Sequence, residues 1–155
     1  MEMPKLQDQH RKLHVLAGSW LGEETLYPSP WDSNGGHALG KFNARIDLDG
    51  FFVITDYVEE RGGQVTYRGH GVYGWDGGQN CYLSYWFDSM GGGYAEPARG
   101  RWEGNVLTFE SRNPMGYSRY RYQFETDVYY IFRIEMSQDG VKWAPFMEGN
   151  YFRQP

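Results

Sequence analysis

Trp86 and Asp88 stand two apart in a run with strand character, so their side chains share one face. On an internal face, Asp88 is a carboxylate presented from an aromatic wall. It could hold a ligand's polar group or act as an acid or base there. On the alternative reading, Asp88-Ser89 opens the next turn and Asp88 accepts backbone amides. A second candidate group is Thr66, Arg68 and His70, again on one face. Turned inward, they form a basic spot for a carboxylate or other anion, with the Arg68 fork gripping two oxygens. Turned outward, they are solvated surface. His10 and His14 have the i,i+4 spacing of two metal ligands on a helix. No cysteine or carboxylate pattern completes such a set, so both are read as structural and no metal is expected.

Other signals weaken in context. Gly69-x-Gly71-x-x-Gly74 has the letters of a dinucleotide loop but lies within a strand and opens no helix. Those glycines fit strand bending better. Glu59 and Glu60 are neighbours on opposite strand faces, so they make no catalytic carboxylate pair. Cys81 is the single cysteine, which excludes an internal disulfide, and no nucleophile context surrounds it. No Ser-His-Asp or Cys-His arrangement can be assembled.

The elements that would position these residues are nearly all strands. The pattern predicts one helix over 4–17, with Leu6, Leu13, Leu16 and Ala17 on one face and Gly18 ending it. Strands are expected over 19–27, 38–48, 51–60, 64–75, 80–87, 93–102, 105–111, 117–126, 128–136 and 141–153. Asp49-Gly50, Gly62-Gly63, Asp76-Gly77-Gly78, Gly91-Gly92-Gly93, Glu103-Gly104-Asn105 and Asp139-Gly140 supply the turns. The Tyr27–Gly36 segment alone is long enough for a functional loop or lid. Tight hairpins between consecutive strands make a meander. A meander of about ten strands closes into a barrel. The fold class is therefore all-β, one antiparallel barrel over residues 1–155, its end plugged by the helix.

Alternation fixes several faces. Ala38, Gly40, Phe42, Ala44, Ile46 and Leu48 are expected inside, as are Tyr120, Tyr122, Phe124, Tyr130, Phe132, Ile134 and Met136. The third and fourth strands stay open. A two-residue Asp49-Gly50 turn places Phe51, Val53, Thr55 and Tyr57 inside, and a longer loop could invert them.

Composition agrees with this architecture. Aromatics make up 18% of the chain, with 13 Tyr, 9 Phe and 6 Trp, beside 21 Gly. The net charge of −5 and the scattered basic residues argue against a nucleic-acid surface. No apolar run reaches membrane-spanning length, and Met1 to His10 lacks the apolar core of a secretory signal. The expectation is a cytoplasmic protein with neither nucleic acid nor membrane as partner.

Gly18-x-Trp20 opening the first strand resembles the signature of the calycins: lipocalins, fatty-acid-binding proteins and nitrobindin-like barrels. The resemblance implies that Trp20 packs at the closed end, covered by a basic residue of the last strand. Arg153 is the matching position. More closely, the chain resembles a largely bacterial family of calycin-like domains of unknown function. The residues that carry this are His10-x-x-Leu13-x-x-Leu16-x-Gly18-x-Trp20, Gly69-x-Gly71-x-x-Gly74-Trp75-Asp76, Trp86-x-Asp88-Ser89 and Tyr151-x-Arg153. The resemblance implies a fold and no activity. Nitrobindin-like haem ligation uses a histidine near the chain end. Here the last histidine is His70, so haem is not expected and no cofactor is assigned.

The leading functional reading is a non-enzymatic barrel binding a small apolar or amphipathic ligand. Phe42, Trp86, Tyr120, Tyr122, Tyr130 and Phe132 would line it, and Arg68, His70 or Asp88 would orient the ligand. The alternatives are an enzyme using Asp88 or His70 as acid–base residue, or a packed barrel without ligand. In the last case, outward Tyr129 and Ile131 would build a homodimer face.

Overall fold

The computed structural model describes residues 1–91 and 96–155. A short helix, α1 (Asp8–Lys12), passes directly into a 3-10 turn (Leu13–Leu16). Ten strands follow: β1 (Gly18–Leu26), β2 (Gly36–Asp47), β3 (Phe52–Arg61), β4 (Gln64–Asp76), β5 (Cys81–Asp88), β6 (Ala98–Glu103), β7 (Val106–Asn113), β8 (Gly116–Thr126), β9 (Tyr129–Ser137) and β10 (Ala144–Arg153). Each strand pairs antiparallel with its chain neighbours, and β1 pairs with β10, so the meander closes on itself. Among the described residues, the β5–β6 ladder is the short one, joining Tyr82–Ser84 to Ala98–Gly100. Every expected strand is present. Gly92, Gly93 and the predicted start of the sixth strand at 93 lie outside the described residues.

The helical segment is shorter than the 4–17 expected. It starts at Asp8 and tightens to 3-10 at Leu13, where Leu13 and Leu16 are buried, 1% and 6% exposed. In a 3-10 turn residues i and i+3 eclipse, so both leucines point into the barrel end together. Tyr82 ties the plug from below by donating its hydroxyl to Gln9 O at 2.8 Å.

The turn between β2 and β3 has four residues, Leu48–Phe51, because the last ladder pair is Asp47↔Phe52. Leu48 and Asp49 both take positive φ, 51° and 60°. Adding two residues preserves strand parity, so Val53, Thr55 and Tyr57 still face inward and are buried. Phe51 leaves the sheet and meets the His10 ring edge-on at 5.0 Å. Two positions expected inside are outside: Ile46 and Leu48 are 47% and 58% exposed. Beyond Ala44 the plug leucines and Val53 fill the barrel end, and β2 overhangs it.

The lumen is filled by aromatic rings. Phe42 stacks on Tyr57 at 4.5 Å, Tyr130 on Tyr151 at 5.2 Å, and Tyr122 tilts against Phe132 at 4.8 Å. Buried Tyr73 and Tyr122 pair their hydroxyls at 3.0 Å, which spares either group an unmet hydrogen bond. A void between Leu16, Phe42, Val53, Tyr73, Tyr122 and Tyr130 is about 10 Å³, room for about one water. Among the described residues, no helix is long and apolar enough to cross a membrane.

Candidate ligand site at the open end of the barrel

The closed end is built for packing. The Arg153 guanidinium lies 4.3 Å over the Trp20 ring, and the two residues are direct partners across β1 and β10. Arg153 also donates to the carbonyls of Ala17, Val15 and Asp127, the latter two at 3.0 Å. Trp20 Nε1 donates to Leu16 O at 3.0 Å. These bonds satisfy carbonyls at the end of the 3-10 turn and seal the floor. The two helix histidines serve the same seal. His10 Nδ1 accepts from Gln7 N at 2.9 Å, and His14 Nε2 bonds Gly50 O at 2.9 Å. Burial holds the His10 ring below its ordinary pKa, consistent with a neutral acceptor.

At the opposite end, Trp86 and Asp88 face inward on β5, and Tyr67 reaches them from β4. Trp86 Nε1 donates to the Tyr67 hydroxyl at 2.8 Å, and that hydroxyl donates to Asp88 Oδ2 at 2.8 Å. Asp88 Oδ1 accepts from Met90 N at 3.0 Å. Asp88 therefore does both things the sequence allows: one oxygen orders the turn, the other anchors the aromatic wall. Burial and the Asp88 carboxylate raise the Tyr67 pKa, which keeps its hydroxyl a donor. Tyr120 is half-buried on β8.

The glycines of β4 explain where Trp86 sits. A Cβ at Gly69 would overlap the Trp86 indole at Cζ2, and one at Gly71 would lie 2.9 Å from its Cε3. The Gly69-x-Gly71 pattern is thus a seat for an indole lying across β4.

That seat fixes the phase of β4. Tyr67, Gly69, Gly71 and Tyr73 face inward, so Arg68 and His70 are exposed on the outer surface. The anion-gripping spot does not exist in the lumen. His70 Nδ1 instead meets Asp56 Oδ1 at 2.8 Å across the outer face of β3 and β4. Of the other aromatic candidates, Phe42, Tyr122, Tyr130 and Phe132 are buried against one another as core. Trp86, Asp88 and Tyr120 remain half-buried towards the open end.

Deeper, the structure places a residue that was not anticipated. Glu24, on β1, is 1% exposed and faces the lumen. The Tyr57 hydroxyl lies 2.6 and 2.8 Å from its two oxygens, and the Tyr151 hydroxyl also donates to it. Gly40 makes the room, because a Cβ there would strike both the Tyr151 hydroxyl and the Glu24 carboxylate. Burial pushes the Glu24 carboxyl up to about 7, against the pull of the two hydroxyls. A signal for it was present. Trp20, Gly22 and Glu24 alternate on one strand, so an inward Trp20 implies an inward Glu24.

Polar contacts run from Glu24 to the rim. The Tyr57 hydroxyl is 3.4 Å from Glu59, whose other oxygen lies 3.5 Å from Arg61 Nε. Arg61 Nη1 meets Asp32 at 3.3 Å. Asp32 orders the long loop before β2 by accepting from Asn34 N and Gly35 N. That loop therefore borders the open end.

A family model matches residues 5–153, and its description is "Protein of unknown function (DUF1579)". No curated protein matches the chain. Among solved structures, Rv2717c from M. tuberculosis is similar, with a TM-score of 0.66 at 13% identity over 97% of this chain and 100% of that one. The S-type phycobiliprotein lyase CPES from Guillardia theta is similar too, with a TM-score of 0.67 at 9% identity over 98% and 99%. These likenesses show the fold, a calycin-like barrel. With residues 5–153 matched, the chain belongs to the DUF1579 family, and its own fold is a calycin-like barrel.

Proposed function

We propose that this barrel is a non-enzymatic binding protein whose small apolar or amphipathic ligand seats at the open end. The observation that carries this is the half-buried Trp86–Tyr67–Asp88 group at the end of a barrel whose other end is sealed. An aromatic wall with fixed polar tips suits a flat or amphipathic molecule. A phycobiliprotein lyase of the same fold is consistent with a barrel that handles a ligand. The lumen void of about 10 Å³ is too small for such a molecule, which supports a seat at the rim.

Fluorescence titration with the neutral probe N-phenyl-1-naphthylamine tests this. Saturable binding is expected, weakened by Trp86→Ala and unaffected by Arg68→Ala with His70→Ala on the outer surface. The filled lumen favours one second reading, a packed scaffold without ligand. Absence of saturable binding to the folded protein would favour that reading and end the first.

A further inference from the structure

We infer that the open end selects an organic cation, an ammonium head carrying an apolar group, over neutral or anionic amphiphiles. This rests on the site proposed above and names its ligand class. Three observations lead to it. First, the half-buried Tyr67 and Trp86 rings lie at the open end, packed on buried Tyr57 at 5.9 and 6.1 Å. Such ring faces attract cations, with Trp the strongest. Second, the wall hydroxyls point at carboxylates. Tyr67 donates to Asp88, and Tyr57 contacts both Glu24 and Glu59. Those carboxylates leave the hydroxyls poor partners for a second anion. Third, the nearby basic groups are either outside the lumen or already paired. Arg68 and His70 face outward, and Arg61 is held between Glu59 and Asp32. Among the described residues, half-buried Asp88 has no ion-pair partner and is held only by the Tyr67 hydroxyl and Met90 N. An arriving ammonium would supply the missing counter-charge beside rings that favour it, whereas a carboxylate head would meet like charge.

The test holds the tail constant and changes the head. Hexyltrimethylammonium, hexanol and hexanoate are titrated into the intact protein by calorimetry. The cation is expected to bind about 10-fold more tightly than hexanol, with hexanoate weakest. Raising salt from about 20 to about 300 mM should weaken the cation selectively. Asp88→Asn should collapse the cation-to-hexanol affinity ratio towards one. Should that variant not fold, the salt series on the natural chain still decides. Hexanoate binding as well as hexanol would overturn the inference, and so would three equal affinities. If none of the three binds while N-phenyl-1-naphthylamine does, the cation inference fails and the binding site stands. If nothing binds, the site itself fails.

Discussion

Replacing Glu24 with Gln should flatten the pH dependence of folding between about pH 4.5 and about pH 7. In the natural chain, burial lifts this carboxyl from its ordinary 4.5 to about 7. The folded state therefore holds a proton that the unfolded chain has already released in that window. Stability falls wherever the folded state binds more protons and pH rises. This group's contribution is thus full below pH 4.5, declines through the window and is lost above pH 7. The interval corresponds to about 3 kcal/mol. Gln keeps the shape and an acceptor for the Tyr57 and Tyr151 hydroxyls but cannot ionise. Asp32, Asp47, Asp76 and Asp139 are held below their ordinary pKa by backbone amides or neighbouring side chains and act in the opposite sense. They are common to both proteins and cancel in the difference. Urea melts of both chains at half-unit pH steps measure that difference. Relative to natural, the variant should gain about 3 kcal/mol on going from pH 4.5 to pH 8. A difference that stays flat, or that grows towards low pH, would refute the burial argument.

Other outcomes follow from single contacts. Gly69→Ala should displace the Trp86 indole and cost about 1–3 kcal/mol, seen as a lowered urea midpoint with a changed fluorescence spectrum. Arg153→Met should cost a similar amount, because the Val15 and Ala17 carbonyls lose their donor. Its signature is faster amide exchange in the plug than in the strands. Tyr73→Phe should cost about 1 kcal/mol through the Tyr122 hydroxyl it leaves unpaired. Ile46→Thr should change stability by less than about 0.5 kcal/mol, since that side chain lies outside the core.

The ten strands were legible because each depends on local pattern, period-two alternation and turn residues, whereas the Trp20–Arg153 floor was implied by the resemblance of Gly18-x-Trp20 to the calycin signature. The phase of β4 was not legible. Its two faces, Tyr67-Gly69-Gly71-Tyr73 and Thr66-Arg68-His70-Val72, both read as acceptable interiors. What decides between them is an indole from β5 lying over two glycines, a relation between strands that no single strand records. Glu24 was visible by parity with Trp20 yet hidden by its chemistry. A lone carboxylate reads as solvent-facing until its tyrosine partners, 33 and 127 residues away, are seen. The filling of the lumen depends on how ring volumes interlock, so the same aromatic list that predicted a lined cavity also built a packed one. For that reason four of the expected ligand contacts are core, and the candidate site contracts to the rim.

The binding proposal is tested most directly by the indole N–H resonances of the protein on addition of N-phenyl-1-naphthylamine, with the Trp86 signal assigned through Trp86→Phe. Trp86 is expected to shift first and most, while Trp20, held on Leu16 O at the sealed floor, stays fixed. A shift at Trp20 with Trp86 unmoved, or no shift at either at saturating probe, would contradict it.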